Sequence, residues 1–380
     1  MPSIHKATHP TEAWRPSSSL AQDDREASAA RPRVWSDAAP LVYAADATIT
    51  MTGVTVAVCT YQRPESLKRF LETLMQQDRQ PDKIIIVDAS ADDATELMVC
   101  QHPNIAQLAD RLLYIRVSGR RKGITRQRNC ALRQATTDLI AFFDDDIILL
   151  PGCIREMERV YREADPPIAG VGAFMRNQAW PIEDSWVWRT RRRLKLVPDL
   201  QPGRYHRSGI SIPWNLTSLD EQIEGDWLPG CAMMWHTAIA RDTGFYEGFA
   251  GYAQGEDLEF SLRARTRGRL LVAGAAQVVH LYEQNGRPDP IKKGYMAIHN
   301  RYQIHRRTLP NRTWRDIAWF SYALALDTLL LARYLIVPPQ WGAILLQIAG
   351  RIRAVYDIME KHVKRRMRRR AKATRNSGAR

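Results

Sequence analysis

Three consecutive carboxylates, Asp144-Asp145-Asp146, follow the apolar run Ile140-Ala141-Phe142-Phe143. Adjacent carboxylates repel one another, and a divalent cation relieves that repulsion most directly; an all-oxygen site of this kind suits Mg²⁺ or Mn²⁺. Mg²⁺ takes only one or two protein carboxylates and completes its shell with water and phosphate oxygens, which points to a nucleotide diphosphate as partner. Read alone, the triplet serves equally as an acidic turn capping the helix that follows at Pro151. Glu256-Asp257 form a second acidic pair, at the start of a predicted helix where the dipole favours negative charge. They are either a cap or, if one stays ionised within reach of a hydroxyl, a general base. Arg120, Arg121, Lys122, Arg126 and Arg128 cluster ahead of and within a helix starting near Ile124, flanked by Gly119 and Gly123. Free backbone N–H groups at a helix N-terminus, joined by guanidinium groups, bind phosphate; the other reading is a solvated basic face. His280 ends the apolar segment Val278-Val279-His280, as a satisfied structural histidine or as a metal ligand.

Short apolar runs must position these groups. Val54 to Cys59, Ile84 to Val87, Leu112 to Val117 and Leu139 to Phe143 read as buried strands. Between them, Leu67, Phe70, Leu71 and Leu74 recur at helical spacing, Ala94 to Cys100 is a weaker helix, and Ile124 to Ala135 a third. Strands alternating with helices imply right-handed crossovers and a mostly parallel α/β sheet with helices on both faces. Ligands of such sheets sit beyond the carboxyl ends of the strands. Thr60, Asp88, the 119–123 loop and the Asp triplet all follow strand ends, so one rim is expected to carry them. Further on, Trp227 to Trp235 opens with Leu228-Pro229-Gly230 and continues apolar, Glu256 opens a helix to about Arg267, and Leu270 to Ala273 with Val278 to His280 completes the sheet.

Of 380 residues, 45% are hydrophobic and 25% charged, which excludes wholesale disorder and a polytopic membrane protein. Lys and Arg number 55 against 41 Asp and Glu, but residues 361–380 hold ten basic and no acidic groups. The body is therefore only mildly basic, and the charge argues for a tail meeting an anionic surface rather than a nucleic-acid groove. That tail also lacks stacking aromatics. The five cysteines are scattered without a C-x-x-C pair, so neither a disulfide framework nor a zinc site is expected. The N-terminal residues lack the apolar stretch of a signal peptide, and a cytoplasmic location follows as an expectation.

The chain divides into an N-terminal arm over 1–50, a catalytic domain over 51–310, a hydrophobic helical extension over 311–360 and a polybasic tail over 361–380. Residues 177–225, Trp-rich and basic, read as an insertion or acceptor-side region. The apolar stretches 317–337 and 341–349 are broken by Asp327, Arg333 and Pro338-Pro339. A bilayer span needs about 20 apolar residues and each central charge costs roughly 2.5 to 3.5 kcal/mol. Helices lying on the inner face of the membrane fit better; an ordinary helical pair packed on the domain is the alternative.

Taken in order, Val54 to Pro64, Ile84 to Asp88, Gly123 with Arg128-Asn129, Phe143 to Asp146, Leu228 to Cys231 and Glu256 to Leu258 resemble the glycosyltransferase family 2 enzymes over residues 52 to 282. The resemblance implies a GT-A fold and inverting transfer of a sugar from a nucleotide-diphosphate-sugar to an acceptor hydroxyl. The membrane-seeking C-terminus points to cell-surface polysaccharide or glycolipid synthesis, with a saccharide or lipid-linked acceptor, a soluble acceptor being the alternative. By the resemblance, Thr60, Tyr61, Arg63, Asp88, Gly123, Arg128, Asn129, Asp144 and Asp145 bind the nucleotide-sugar. Asp144, Asp146 and His280 hold Mn²⁺ or Mg²⁺. Asp257 is the catalytic base, and Glu256, Trp227 and Gly230 stand on the acceptor side. A weaker similarity marks Asn300-Arg301. The competing readings are an inactive scaffold of the same fold and a basic nucleic-acid-binding protein.

Overall fold

The alternating apolar runs become β1 (Val54–Thr60), α1 (Pro64–Met75), β2 (Lys83–Asp88), α2 (Ala94–Gln101), β3 (Leu112–Arg116), α3 (Ile124–Gln134) and β4 (Leu139–Asp144). The computed structural model describes residues 53–377 apart from 166, 179–181, 215–221, 250–251, 284–285, 310, 333–334 and 336–340. The expected N-terminal arm, Arg333 and the Pro338-Pro339 break lie outside the described residues.

These four strands are parallel, in the order β3-β2-β1-β4. The chain steps outward from β1 through β2 to β3, then returns across β1 to β4. Right-handed crossovers therefore send α1 and α2 to one face and α3 to the other, and the boundary between β1 and β4 becomes the topological switch point. The register sets Cys59 opposite Asp144 at that boundary.

Beyond β4 the sheet is mixed. β5 (Ile147–Leu149), α4 (Cys153–Glu163) and β6 (Ile168–Met175) follow, then α5 (Trp186–Arg193), β7 (Gln222–Gly225), β8 (Ala232–His236), α6 (Thr237–Thr243), α7 (Glu256–Ala264) and β9 (Arg269–His280). β8 lies antiparallel between β4 and β6, β9 runs parallel to β6, and β5 and β7 flank β9 antiparallel. The two segments read separately as 270–273 and 278–280 are one strand, whose pairing with β6 shifts register between Ala173 and Phe174 of β6, opposite Ala273 and Gln277. The pairing of Ile147 with His280 carries that histidine to the residue following the Asp triplet. Beneath the rim, Trp235, Phe260, Phe245 and Phe142 form a continuous aromatic core, with Phe245 and Phe260 stacked at 4.1 Å and Trp235 edge-on to Phe260 at 4.9 Å. Burying each such ring contributes about 1.5 to 3 kcal/mol. All five cysteines are free.

The region expected as an insertion builds a second core: Ile182, Trp188, Leu196, Val197, Ile210 and Ile212 pack with Ala323. Ala323 belongs to α9 (Trp314–Ala332), which follows α8 (Pro290–Thr308) and precedes α10 (Trp341–Ser377). α8 starts where Pro290 takes the first helical position and Asp289 accepts from the Lys292 backbone N–H at 2.9 Å. α10 lies against α8 so closely that a Cβ on Gly294 would meet the Gln347 carbonyl, and one on Gly350 the Ile291 carbonyl. Asp327, which interrupts the apolar run of α9, is paired with Arg191 and Arg301, both at 2.5 Å. Among the described residues no helix is long and apolar enough to cross a membrane.

Candidate active site

The ends of β1 and β4 meet across the switch point through side chains. Thr60 Oγ1 donates to Asp145 Oδ2 at 2.7 Å, and Arg63 Nη1 donates to Asp145 Oδ1 at 3.0 Å and to Asp146 Oδ2 at 3.5 Å. His280 Nε2 lies 3.1 Å from Asp146 Oδ1, and the Glu283 backbone N–H donates to Oδ2 of the same carboxylate. One ligand atom from each of Asp144, Asp146 and His280 falls within 4.8 Å of the others. Two carboxylates and one imidazole make a mainly hard donor set that suits Mn²⁺ or Mg²⁺.

Glu256 and Asp257, more than a hundred residues downstream, open α7 at the same cavity, which encloses about 720 Å³. Arg128 makes the connection. Its guanidinium is buried beside the Phe142 and Phe245 rings and donates to Asp144 Oδ1 at 3.1 Å, Glu256 Oε1 at 2.8 Å and the Gly230 carbonyl at 2.8 Å. Besides lining the cavity, Arg128 ties the two acidic segments together. Gly230 N–H in turn donates to Asp257 Oδ2 at 3.0 Å, while Leu258 N–H donates to Oδ1 at 2.8 Å. A Cβ on Gly230 would stand 2.8 Å from that of Asp257, so Gly230→Ala must push the carboxylate aside. We expect that substitution to lower turnover by about tenfold or more, since small misplacement of a reacting group is costly; steady-state kinetics beside an unchanged thermal melt checks it.

Five carboxylates, Asp144, Asp145, Asp146, Glu256 and Asp257, face two guanidiniums, Arg63 and Arg128. Burial, followed by partial relief from Arg63 and Thr60, leaves the Asp145 carboxyl pushed up to about 7. Burial also raises Asp144, against the pull of Arg128. For Asp146 burial acts upward as well, but the His280 hydrogen bond and charge, with Arg63, hold it below the usual carboxylate range. Burial, and next the charge of Asp257, raise Glu256; burial raises Asp257 against the two backbone N–H groups and Arg128. Such an excess of negative charge is what a bound cation compensates.

The shift at Asp145 has a stability consequence. Its folded value exceeds its unfolded one, so its contribution is fully present below about pH 4 and is lost as pH rises through about 7. In the presence of a chelator, wild-type protein is expected to be less stable at pH 8 than at pH 5. Asp145→Asn should flatten that slope by on the order of 1 to 3 kcal/mol, read from denaturant titrations at the two pH values.

Most of the residues expected at the site stand there: Thr60, Tyr61, Arg63, Gly123, Arg128, Asp144, Asp145, Trp227, Gly230, Glu256, Asp257 and His280 line the cavity. Gly123, at φ 115°, presents the N-terminus of α3 to it. Two expected nucleotide ligands do not reach the wall. Asp88 is fully buried and accepts from Ser90 and from Tyr114 Oη at 2.6 Å, so it ties β2 to β3. The Asn129 side chain bonds the Phe245 backbone and Glu247, bracing α3 against the loop after α6. The basic cluster is also divided: Lys122 joins the wall, Arg120 and Arg121 are exposed, and Arg126 lies 3.6 Å from Glu247. Arg301 is spent on Asp327, whereas Asn300 holds the Gln254 carbonyl at 2.9 Å and so orders a residue of the wall.

Gln127, Tyr252 and Gln254 were not anticipated. Gln127 donates to the carbonyls of Thr60 and Val87, pinning the ends of β1 and β2. Its position one residue before Arg128, on the face of α3 turned to the sheet, was the available signal. Tyr252 and Gln254 sit in a loop whose place depends on Asn300, and no local pattern marks them.

Residues 55–208 match the family described as Glycosyl transferase family 2. The chain is 27% identical over 120 residues to the GalNAc(5)-diNAcBac-PP-undecaprenol beta-1,3-glucosyltransferase of Campylobacter jejuni, covering 32% of this chain and 38% of that protein. It is 26% identical over 217 residues to an uncharacterized protein of Mycobacterium tuberculosis, covering 56% and 62%. It thus spans less than two thirds of either curated relative. Among solved structures, a mannosyltransferase of Pyrobaculum calidifontis in complex with GDP-Man and Mn²⁺ aligns with TM-score 0.47 at 17% identity, over 89% of this chain and 94% of that one. GalNAc-T7 with UDP, GalNAc and Mn²⁺ aligns with TM-score 0.49 at 12% identity, over 77% and 59%. The family match ends before Asp257 and His280, which the tertiary structure adds to the site. The chain carries a glycosyl transferase family 2 domain over residues 55–208.

Proposed function

We propose that this protein is an inverting glycosyltransferase that moves a sugar from a nucleotide-diphosphate-sugar to an acceptor hydroxyl, with Mn²⁺ or Mg²⁺ on Asp144, Asp146 and His280. The observation that carries the reading is the convergence of the Asp triplet and Glu256-Asp257 on one cavity, joined by Arg128. Thr60, Tyr61 and Arg63 form the donor side with the open N-terminus of α3, and Lys122, its ammonium 5.9 Å from the Tyr61 ring centre, adds a cation toward the diphosphate. The bound ion would neutralise charge on the departing diphosphate. Asp257 accepts the proton of the attacking hydroxyl. Its oxygens are held by neutral backbone donors, whereas Glu256 is engaged by Arg128, so Asp257 is the more available base. Single displacement on the side opposite the leaving group inverts the anomeric centre. Trp227, whose buried indole N–H has no protein partner among the described residues, stands on the wall near Gly230 as a donor to the acceptor.

The acceptor we infer is a saccharide, free or lipid-linked, in synthesis of a surface polysaccharide or glycolipid. The Campylobacter relative is named for a PP-undecaprenol-linked saccharide, which supports the lipid-linked form. A screen of nucleotide-diphosphate-sugars by calorimetry and slow hydrolysis, with Mn²⁺ or with chelator, tests the reading. Metal-dependent binding of at least one donor is expected; a site indifferent to all of them would leave an inactive scaffold as the better account.

A further inference from the structure

We propose that the outward face of α10 is a docking surface for an anionic lipid bilayer, on which the helix lies lengthwise. The inward face is occupied: Ile344, Gly350 and Ala354 are buried against the protein. The opposite face carries Leu345, Ile352, Tyr356, Met359, Val363 and Met367, each more than half exposed, with exposed Ala349 between the first two. A solvated helix face is normally polar, and an unbroken apolar stripe along 23 residues of helix marks an interaction site.

Spacing and charge choose the occupant. From Leu345 through Ala349 to Met367 the steps are four, three, four, three, four and four residues, close to 3.7 residues per turn. That period keeps the stripe on one side of a straight helix, as a flat surface requires. A left-handed coiled coil with a second copy needs 3.5; a right-handed one would accept this period, and charge decides against it. The same helix continues into residues 361–377, which hold nine basic and no acidic residues. In a parallel pair these ends would repel, whereas each basic residue near an anionic leaflet is attracted to it. α9 separately exposes Trp314, Trp319 and Tyr322, residue types that favour the boundary between water and lipid. Since no described helix is long and apolar enough to span, the contact is peripheral. None of this depends on the transferase reading.

Co-sedimentation of the full chain with phosphatidylcholine vesicles, with and without one third phosphatidylglycerol, tests the proposal. We expect partitioning at least about tenfold stronger onto the anionic vesicles, weakening as salt rises. Ile352→Glu with Met359→Glu should lower it by about 100-fold, because both positions are exposed and the change removes apolar contact without touching the core. Replacing Lys361 and Lys364 by Gln should weaken binding to anionic vesicles alone. Thermal melts and light scattering accompany each variant. Failure of the wild-type protein to bind anionic vesicles overturns the proposal, as does equal binding by the correctly folded double Glu variant. A dimer in the absence of lipid that the double Glu variant dissociates would overturn it in favour of a second copy.

Discussion

Asp257→Asn is expected to lower sugar transfer by about 10²- to 10⁴-fold, the usual contribution of a positioned proton acceptor, while affinity for the nucleotide is retained. The substitution keeps the side chain's size. Its amide oxygen can still accept from Gly230 or Leu258, whose N–H groups hold the native carboxylate at 3.0 and 2.8 Å. What disappears is basicity. Glu256→Gln is the informative comparison, because Glu256 faces Arg128 and already shares that cation with Asp144. Its loss should disturb positioning more than proton transfer, giving a smaller fall in kcat. Steady-state kinetics with separate calorimetric titration of the nucleotide distinguishes the two. Wild-type turnover in Asp257→Asn would remove the assignment, and a greater loss in Glu256→Gln would transfer the role to that residue.

The second large effect concerns the cation. Asp146→Asn combined with His280→Ala is expected to weaken Mn²⁺ binding by about 100-fold or more, since even outer partners of metal ligands cost 10- to 100-fold when removed. Metal-dependent binding of a nucleoside diphosphate should fall in parallel. The fold need not suffer. His280 lines the cavity, and Asp146→Asn relieves one charge of a crowded acidic group while keeping an acceptor for the Glu283 N–H. Calorimetry of Mn²⁺ alone, then of nucleoside diphosphate with and without Mn²⁺, reads both effects. Metal affinity and its coupling to nucleotide unchanged in a well-folded double variant would make the triplet a structural turn.

Much of this architecture follows from local pattern. The four parallel strands fall within a residue or two of the apolar runs, and the acidic residues stand where strands end, because a buried strand must be apolar and must stop where charge begins. The central strand β6 and helix α8 were not read from the sequence. Ile168 to Met175 has its apolar run interrupted by Gly170 and Gly172, and α8 is rich in basic residues, so neither shows a clean period. Asp88 and Asn129 show the converse. Both stand at strand or helix positions suited to a ligand, but internal donors and acceptors had already claimed them. Hydrogen-bond competition of that kind has no signature in spacing.

By itself, then, the amino-acid order determined the parallel half of the sheet, the rim on which chemistry is placed and the acidic character of that rim, all of which depend on short-range periodicity. Only the folded chain decided that Arg128 faces inward between two acidic segments, that His280 reaches Asp146 through the pairing of β5 with β9, and that one face of α10 is left uncovered. Each of these depends on contacts between residues far apart in the chain. They arise when strands choose partners and helices choose faces, and no window of neighbouring residues contains that choice.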